Sequence, residues 1–188
     1  DGNKWSPLGD GLNGVDEFKY VRRITEYNNL IYAAGNFLKY GNKYVNGVAT
    51  WNGIEWDSVG SGANNIIRDM VVYKNKLYLA GYFDTFNGMN NANGIIKFNG
   101  TAWSKVSALA NNGNKTFSMC VHDGKLIIAG SFDFSGTTAH LVSFDGTTWS
   151  PFPSPAPVNF YRMISLNNNL YISAEDAVYK YDGNTWTI

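Results

Sequence analysis

The chain has 188 residues, of which 44% are hydrophobic, 15% aromatic and 16% charged, with a formal net charge of zero. That length can bury a sizeable core as one domain, and the sparse, balanced charge supplies neither a basic footprint for nucleic acid nor an acidic tail. No run of about 18 apolar residues is present, which argues against direct membrane insertion, and the single cysteine, Cys120, excludes an internal disulfide and any multi-cysteine metal site.

The chain opens on Asp1-Gly2-Asn3-Lys4-Trp5. The same phrase recurs as Asn52-Gly53-Ile54-Glu55-Trp56, Asn99-Gly100-Thr101-Ala102-Trp103, Asp145-Gly146-Thr147-Thr148-Trp149 and Asp182-Gly183-Asn184-Thr185-Trp186. In each copy an Asx-Gly pair stands three residues before a Trp. Asx-Gly is a strong hairpin signal, because both central positions of a type I′ turn need positive φ. One hairpin is thus predicted five times, with a Trp early in its second strand. A repeat of roughly 40 to 50 residues signals propeller blades or a solenoid array.

Within each repeat four short strands, a to d, are predicted. In the first, Leu30-Ile31-Tyr32-Ala33-Ala34-Gly35-Asn36-Phe37 is strand b and Gly47-Val48-Ala49-Thr50-Trp51 is strand c. The second reads Ile66 to Tyr73 (a), Leu77-Tyr78-Leu79-Ala80-Gly81-Tyr82-Phe83 (b), Gly94-Ile95-Ile96-Lys97-Phe98 (c) and Trp103-Ser104-Lys105-Val106 (d). The third has Leu126 to Phe132 as b and His140 to Phe144 as c. The fourth keeps Leu170-Tyr171-Ile172 but carries Ser173-Ala174-Glu175 where the others have Ala-Gly-x-Phe. No segment sustains a 3.6-residue period, so almost no helix is expected. The glycine of Ala-Gly-x-Phe reads as a bulge or a close backbone approach between neighbouring sheets.

Pro7 and Pro151 each follow a strand-d Trp by two residues. Proline cannot donate to a ladder, so strand d is assigned to the outer edge of its blade. Pro153, Pro155 and Pro157 then form a stiff crossover within one domain, 1-188, whose repeats run about 6-56, 57-103, 104-149 and 150-188. The expected fold is an all-β β-propeller of four four-stranded blades plus a leading outer strand. Four copies of a-b-c against five of d point to a fragment of a larger propeller. The alternative is a self-contained four-bladed ring with one spare strand. A fragment would leave exposed terminal sheets prone to association.

At Trp56 to Gly62, Leu77 to Phe83 and Asn93 to Trp103 the sequence resembles kelch-like, galactose-oxidase-like β-propeller repeats, such as those of secreted bacterial surface proteins and fungal cell-cortex polarity markers. The resemblance runs along the whole chain and is weakest in the fourth repeat. It implies an exported, cell-surface or extracellular protein of adhesion type and carries no catalytic residue across. Ser143-Phe144-Asp145-Gly146-Thr147-Thr148-Trp149 also looks like the Asp-box of sialidase-type propellers, one residue short between Asp and Gly; in those proteins the box is structural.

Little in the sequence suggests chemistry. Cys120 reads as a small buried hydrophobe. His122 reads as a strand-end packing residue and His140 as the start of a strand c. They stand far apart in repeat position with no shared carboxylate, so no metal site or catalytic triad is assigned. No cofactor is expected, and the chain reads as a non-enzyme. Two binding candidates stand out. Aligning the a strands makes Arg22, Arg68, Phe117 and Tyr161 equivalent, and places Arg23, Asp69, Ser118 and Arg162 next. Arg22, Arg68 and Arg162 thus gather near one mouth of the channel, where guanidiniums can hold a carboxylate or sulfate. The structural alternative pairs Arg23 and Arg68 with Asp16, Glu17 or Asp69. The second candidate is the face bearing the long b–c loops, Leu38 to Asn46 and Asp84 to Asn93, and the d–a crossovers, Gly60 to Asn65 and Ser107 to Lys115. It displays Tyr40, Tyr44, Phe86, Asn87, Met89 and Asn90, which suit a protein or glycan partner. The rival functions are a structural spacer or assembly module of a large surface complex, and part of a propeller-type glycosidase, lyase or oxidase with its catalytic groups elsewhere; the expected partner is a protein or glycan, or the remaining blades of the same protein. A binding or adhesion module acting through the b–c/d–a face is the leading expectation.

Overall fold

The structure is a computed structural model that describes residues 4–13, 20–106, 110–134, 137–155 and 160–188. The opening residues Asp1-Gly2-Asn3, the carboxylates Asp16 and Glu17, the crossover residues 107–109 and Pro157 lie outside them. All strand pairs among the described residues are antiparallel, and four sheets each hold four strands in the order a-b-c-d. The first blade contains Tyr20–Tyr27, Leu30–Asn36, Val48–Trp51 and Trp56–Ser58. The second contains Ile67–Tyr73, Lys76–Gly81, Ile95–Phe98 and Trp103–Lys105. The third contains Ala110–His122, Lys125–Phe134, Thr137–Phe144 and Trp149–Pro151. The fourth contains Phe160–Leu166, Asn169–Ala174, Val178–Tyr181 and Trp186–Thr187. Strand d is the edge in every blade, and Pro151 ends one. Residues 110–115 continue strand a of the third blade, so they are not part of a loop crossover.

The two turn types divide the backbone work. The a–b turns are tight two-residue turns with both residues at positive φ: Asn28 and Asn29 (51° and 60°), Lys74 and Asn75 (47° and 55°), Asp123 and Gly124 (46° and 68°), Asn167 and Asn168 (50° and 60°). The Asx-Gly turns differ from the type I′ expectation. Trp51 pairs with Trp56 and Phe98 with Trp103, so each loop has four residues, and only its glycine has positive φ. The Asx side chain is the reason. Asn52 Oδ1 accepts the N–H groups of Ile54 (2.9 Å) and Glu55 (3.0 Å), and Asn99 repeats this with Thr101 and Ala102. Such side-chain bonds replace the backbone bonds of a tighter turn. In Asp145 the bonds from Thr148 N–H and from the Thr147 hydroxyl and N–H hold the carboxyl down to about 2.

Each c–d hairpin carries a directly opposed aromatic pair: Trp51–Trp56 (5.4 Å), Phe98–Trp103 (4.8 Å), Phe144–Trp149 (4.5 Å) and Tyr181–Trp186 (5.0 Å). The last three pairs lie at the apolar layers between blades, and Trp51–Trp56 at the layer between the first blade and the leading segment. Trp56 is buried, whereas Trp103 and Trp149 are half-buried, each lying at the rim of a layer. Trp5 is 99% exposed and in no strand. The leading strand lies instead at Leu12–Asn13, which pairs with Lys39–Tyr40 of the first b–c loop. There the leading segment covers the outer side of the first blade, and Leu8 O accepts the Trp56 indole N–H at 3.1 Å. Ile24 (64% exposed) on the first blade and Ile164 (59%) on the fourth remain open to solvent.

Neighbouring blades are fastened by a repeated contact at the a–b turn end. Tyr27 donates its hydroxyl to Asn75 O (3.0 Å) of the second blade, and Tyr73 donates to Gly124 O (2.8 Å) of the third. Each ring also meets the strand-c aromatic of the next blade edge-on, Phe98 at 6.0 Å and Phe144 at 6.3 Å. Tyr73→Phe keeps the ring and removes only the donor. It should cost about 1 kcal/mol, the usual net worth of such a bond. Urea denaturation should show a lower midpoint at unchanged slope; no loss would mean that the phenol packs without a useful bond.

Candidate functional site

Every strand a carries a bulge at the same place. The ladder skips one residue between Val21 and Arg23, between Ile67 and Asp69, between Thr116 and Ser118, and between Phe160 and Arg162. The extra residues are Arg22, Arg68, Phe117 and Tyr161. Opposite the bulge stands the glycine of Ala-Gly-x-Phe in the first three blades, Gly35, Gly81 and Gly130, and Ala174 in the fourth. A Cβ at Gly35 would collide with Tyr20 O, and one at Gly81 with Ile66 O. The bulge is as expected; the close backbone approach lies within one sheet, between strands a and b, and not between neighbouring sheets. The bulge sets two successive side chains of each strand a at the mouth where the four inner strands converge.

Asp69 is the centre of this arrangement and is 0% exposed. Its Oδ1 accepts from Arg23 Nε of the first blade and from Met70 N–H (2.8 Å). Its Oδ2 accepts from the Ser118 hydroxyl (2.9 Å) and Met119 N–H (2.8 Å) of the third. Ser118 Oγ in turn accepts Met163 N–H (3.2 Å) of the fourth, and Arg162 Nη1 lies 3.5 Å from Asp69 Oδ1. One carboxylate thus ties all four blades. Of the carboxylates weighed as arginine partners, it is Asp69 that pairs with Arg23; Asp16 and Glu17 lie outside the described residues.

Arg22 and Arg68 are held by aromatic groups. Arg22 lies over the Tyr20 ring at 4.3 Å and donates to its hydroxyl at 2.8 Å. Arg68 donates to Tyr82 OH at 2.9 Å and lies over the Tyr82 and Phe117 rings. Arg162 donates to Arg22 O at 3.3 Å, which brings the fourth blade to the first. Burial pushes the Arg162 guanidinium down from its usual range; Asp69 opposes this, and Arg23, Arg22 and Arg68 add repulsion. Among the described residues, Arg23 and Arg162 pair with the one carboxylate of Asp69, and Arg22 and Arg68 have no carboxylate partner. Arg22 Nε and Arg68 Nε are buried and have no hydrogen-bond partner among the described residues, and Arg162 Nη1 makes no hydrogen bond there beyond its ion pair with Asp69 at 3.5 Å. Buried donors without acceptors are costly.

The long-loop residues behave differently. Phe86 is 0% exposed, a core residue whose ring lies tilted against Trp103 at 4.7 Å, and so it does not face a partner. Asn87 braces the d–a crossover: its Oδ1 accepts Gly62 N–H at 2.8 Å. Met89 and Tyr40 are half-buried against the blade layers. Of the named loop residues only Tyr44 (58%) and Asn90 are exposed, and Tyr44 is covered on one side by Lys39, 4.4 Å from its ring. The first two b–c loops and the crossover between them bond to one another, through Ala63 N–H to Asn46 O (2.9 Å), Asn87 N–H to Gly62 O (2.8 Å) and Asn64 Oδ1 to the N–H groups of Asp84 and Thr85. Their length is spent fastening blades. What the sequence did not disclose was Asp69 as a hub; its one signal was a lone Asp in a column otherwise holding Arg or Ser. Cys120 is buried, and burial pushes its thiol up.

No protein-family profile and no curated protein matches the chain. Solved structures do. The extracellular domain of a putative one-component system from B. thetaiotaomicron shares 16% identity over 92% of this chain, with a TM-score of 0.62. This chain spans 21% of that domain's length. The computationally designed protein Ika4 shares 7% identity at a TM-score of 0.57, covering 95% of this chain and 98% of its own. At such identities the likeness is one of fold. Together with the four d-edged sheets and their converging inner strands, it makes this chain an all-β, propeller-like fold.

Proposed function

We propose that this chain is the binding propeller of an exported, kelch-like surface protein, non-enzymatic, which takes an acidic glycan at its arginine-lined mouth. The observation that carries this reading is the pair of buried guanidinium nitrogens on Arg22 and Arg68 with no hydrogen-bond acceptor among the described residues, beside Arg162, whose Nη1 has only its ion pair with Asp69 at 3.5 Å. A uronate carboxylate or a sulfate ester supplies the oxygens those donors lack, in charge-assisted bonds. Tyr20 and Tyr161 are exposed beside them and offer faces for a sugar ring. The likeness to an extracellular domain supports export at the level of fold. Relative to the loop-face expectation, the site moves to the channel mouth, because the loop side chains are spent on packing.

Titration calorimetry with a glucuronate-bearing oligosaccharide and its neutral counterpart tests this. Binding should need the charge and weaken from low salt to about 150 mM, where screening acts within about 8 Å. Arg68→Ala should weaken it roughly ten- to a hundredfold, the worth of a bond to a charged group. Equal affinity for the neutral sugar, or for the variant, would sink the proposal. A second reading, an assembly module for a protein partner or further blades, is favoured by the solvent-open Ile24, Ile164 and Leu166. No anion binding, together with concentration-dependent association, would favour it instead.

A further inference from the structure

The blade-fastening tyrosine is missing at one interface. Tyr27, Tyr73, His122 and Leu166 occupy the same repeat position, the last residue of strand a before the turn in the first two blades and in the fourth, and its counterpart in the third. Between the first and second blades, and between the second and third, the phenol fills the joint, as described above. Between the third and fourth the residue is His122. Its shorter ring turns to the Ser165 hydroxyl, 2.9 Å from Nδ1. Burial pushes the imidazole pKa down, and the Asp123 charge opposes this. A cleft of about 450 Å³ remains, lined among others by His122, Phe152, Ser165, Asn168 and Tyr181.

Two of these residues correspond to what holds the phenol elsewhere. Asn168 is the second residue of its a–b turn, as Asn75 and Gly124 are, and those two supply the accepting carbonyls. Tyr181 ends strand c, as Phe98 and Phe144 do, and those rings receive the phenol edge-on. Phe152 adds a second aromatic wall, 5.3 Å from Tyr181. We infer that this cleft is a binding site for a phenolic group brought from outside the fold, its ring set against Tyr181 and Phe152 and its hydroxyl donating to the Asn168 carbonyl. The group is either a free phenol or a tyrosine side chain of a polypeptide. The site lies at the turn end of the strands, away from the arginine mouth, and stands or falls independently of the function proposed there.

The test uses p-cresol and a capped Gly-Tyr-Gly peptide, followed by protein NMR shifts in the whole chain. Wild type should bind p-cresol with a Kd of order 1 mM, as a fragment of eight heavy atoms allows, with shifts at Ser165 and Asn168. His122→Tyr places in the joint the residue that the two sister joints already hold. It should fold, melt higher than wild type and weaken p-cresol at least about tenfold. Tighter binding of the peptide than of p-cresol would identify a polypeptide tyrosine as the natural occupant; equal or weaker binding would identify a free phenol. No shift in wild type at about 10 mM p-cresol, or undiminished binding by a folded His122→Tyr, would overturn the inference. Should His122→Tyr fail to fold, Ser165→Tyr, which intrudes on the same cleft from the fourth blade, gives the same reading: loss of p-cresol shifts supports the site and retention overturns it.

Discussion

Asp69→Ala should destabilise the chain by about 3–5 kcal/mol, the range for stripping one partner from a buried ion pair. The carboxylate is fully buried and accepts from Arg23, Ser118 and the backbone of Met70 and Met119, with Arg162 at 3.5 Å. Removing it orphans donors from three blades at once and leaves the Arg23 and Arg162 guanidiniums without their carboxylate partner. The arginines are partly open to water, with side chains 37% and 42% exposed for Arg23 and Arg162, so the lower half of that range is expected. The variant also carries a signature that simple core damage lacks. An added anion should restore stability to Asp69→Ala more than it raises that of wild type, because it replaces the lost charge. Thermal melts with and without sulfate, at matched ionic strength with chloride, decide this. A variant as stable as wild type would remove Asp69 from the centre of the fold. A destabilised one that ignores sulfate would show that the mouth does not hold anions.

Phe86→Ala should also cost about 3–5 kcal/mol, by the loss of a large ring and the cavity it leaves. Phe86 sits on the second b–c loop, yet its ring lies between Phe83 at 5.9 Å and Trp103 at 4.7 Å. The loop is folded back on itself by paired bonds between Phe86 and Met89, of 3.2 and 2.9 Å. For a chain of this size the loss corresponds to a melting temperature roughly 10 °C lower. Tyr44→Ala, on the first b–c loop, should stay within about 0.5 kcal/mol of wild type, since its side chain is exposed. Denaturant titration of the two variants separates them. A stable Phe86→Ala that had lost glycan binding would return the loop to the role of a recognition surface.

The contrast between these two residues shows how far the sequence could be read. Both are aromatic, both lie in long polar loops, and both were expected on a binding face. Loop composition does not tell which ring turns inward, because that depends on the neighbouring strand d, here Trp103, arriving to cover it. The same holds for the repeat tryptophans. Their hairpin position was legible, but burial follows from whether a further layer lies against them: Trp56 has the leading segment, and Trp5 is 99% exposed. The arginine column was legible from alignment of the repeats. Its electrostatics was not, since the geometry around Asp69 joins residues up to 140 positions apart.

What the sequence determined by itself was local and periodic. Apolar runs four to eight residues long, Asx-Gly and Asn-Asn turns, and the recurring Trp specify four-stranded antiparallel blades, because strand pairing and turn geometry are settled within about forty residues. In the first three blades the bulge was announced by the glycine of Ala-Gly-x-Phe, which leaves room for the facing backbone; the fourth keeps the bulge with Ala174 in that place. The tertiary structure alone decided what lies between blades. It chose the partner of Arg23, buried Phe86, spent the long loops on fastening, and left unfilled the joint where His122 stands in place of tyrosine. Those outcomes depend on side chains from separate repeats meeting at one point, and contacts between distant repeats leave no period in the sequence to read.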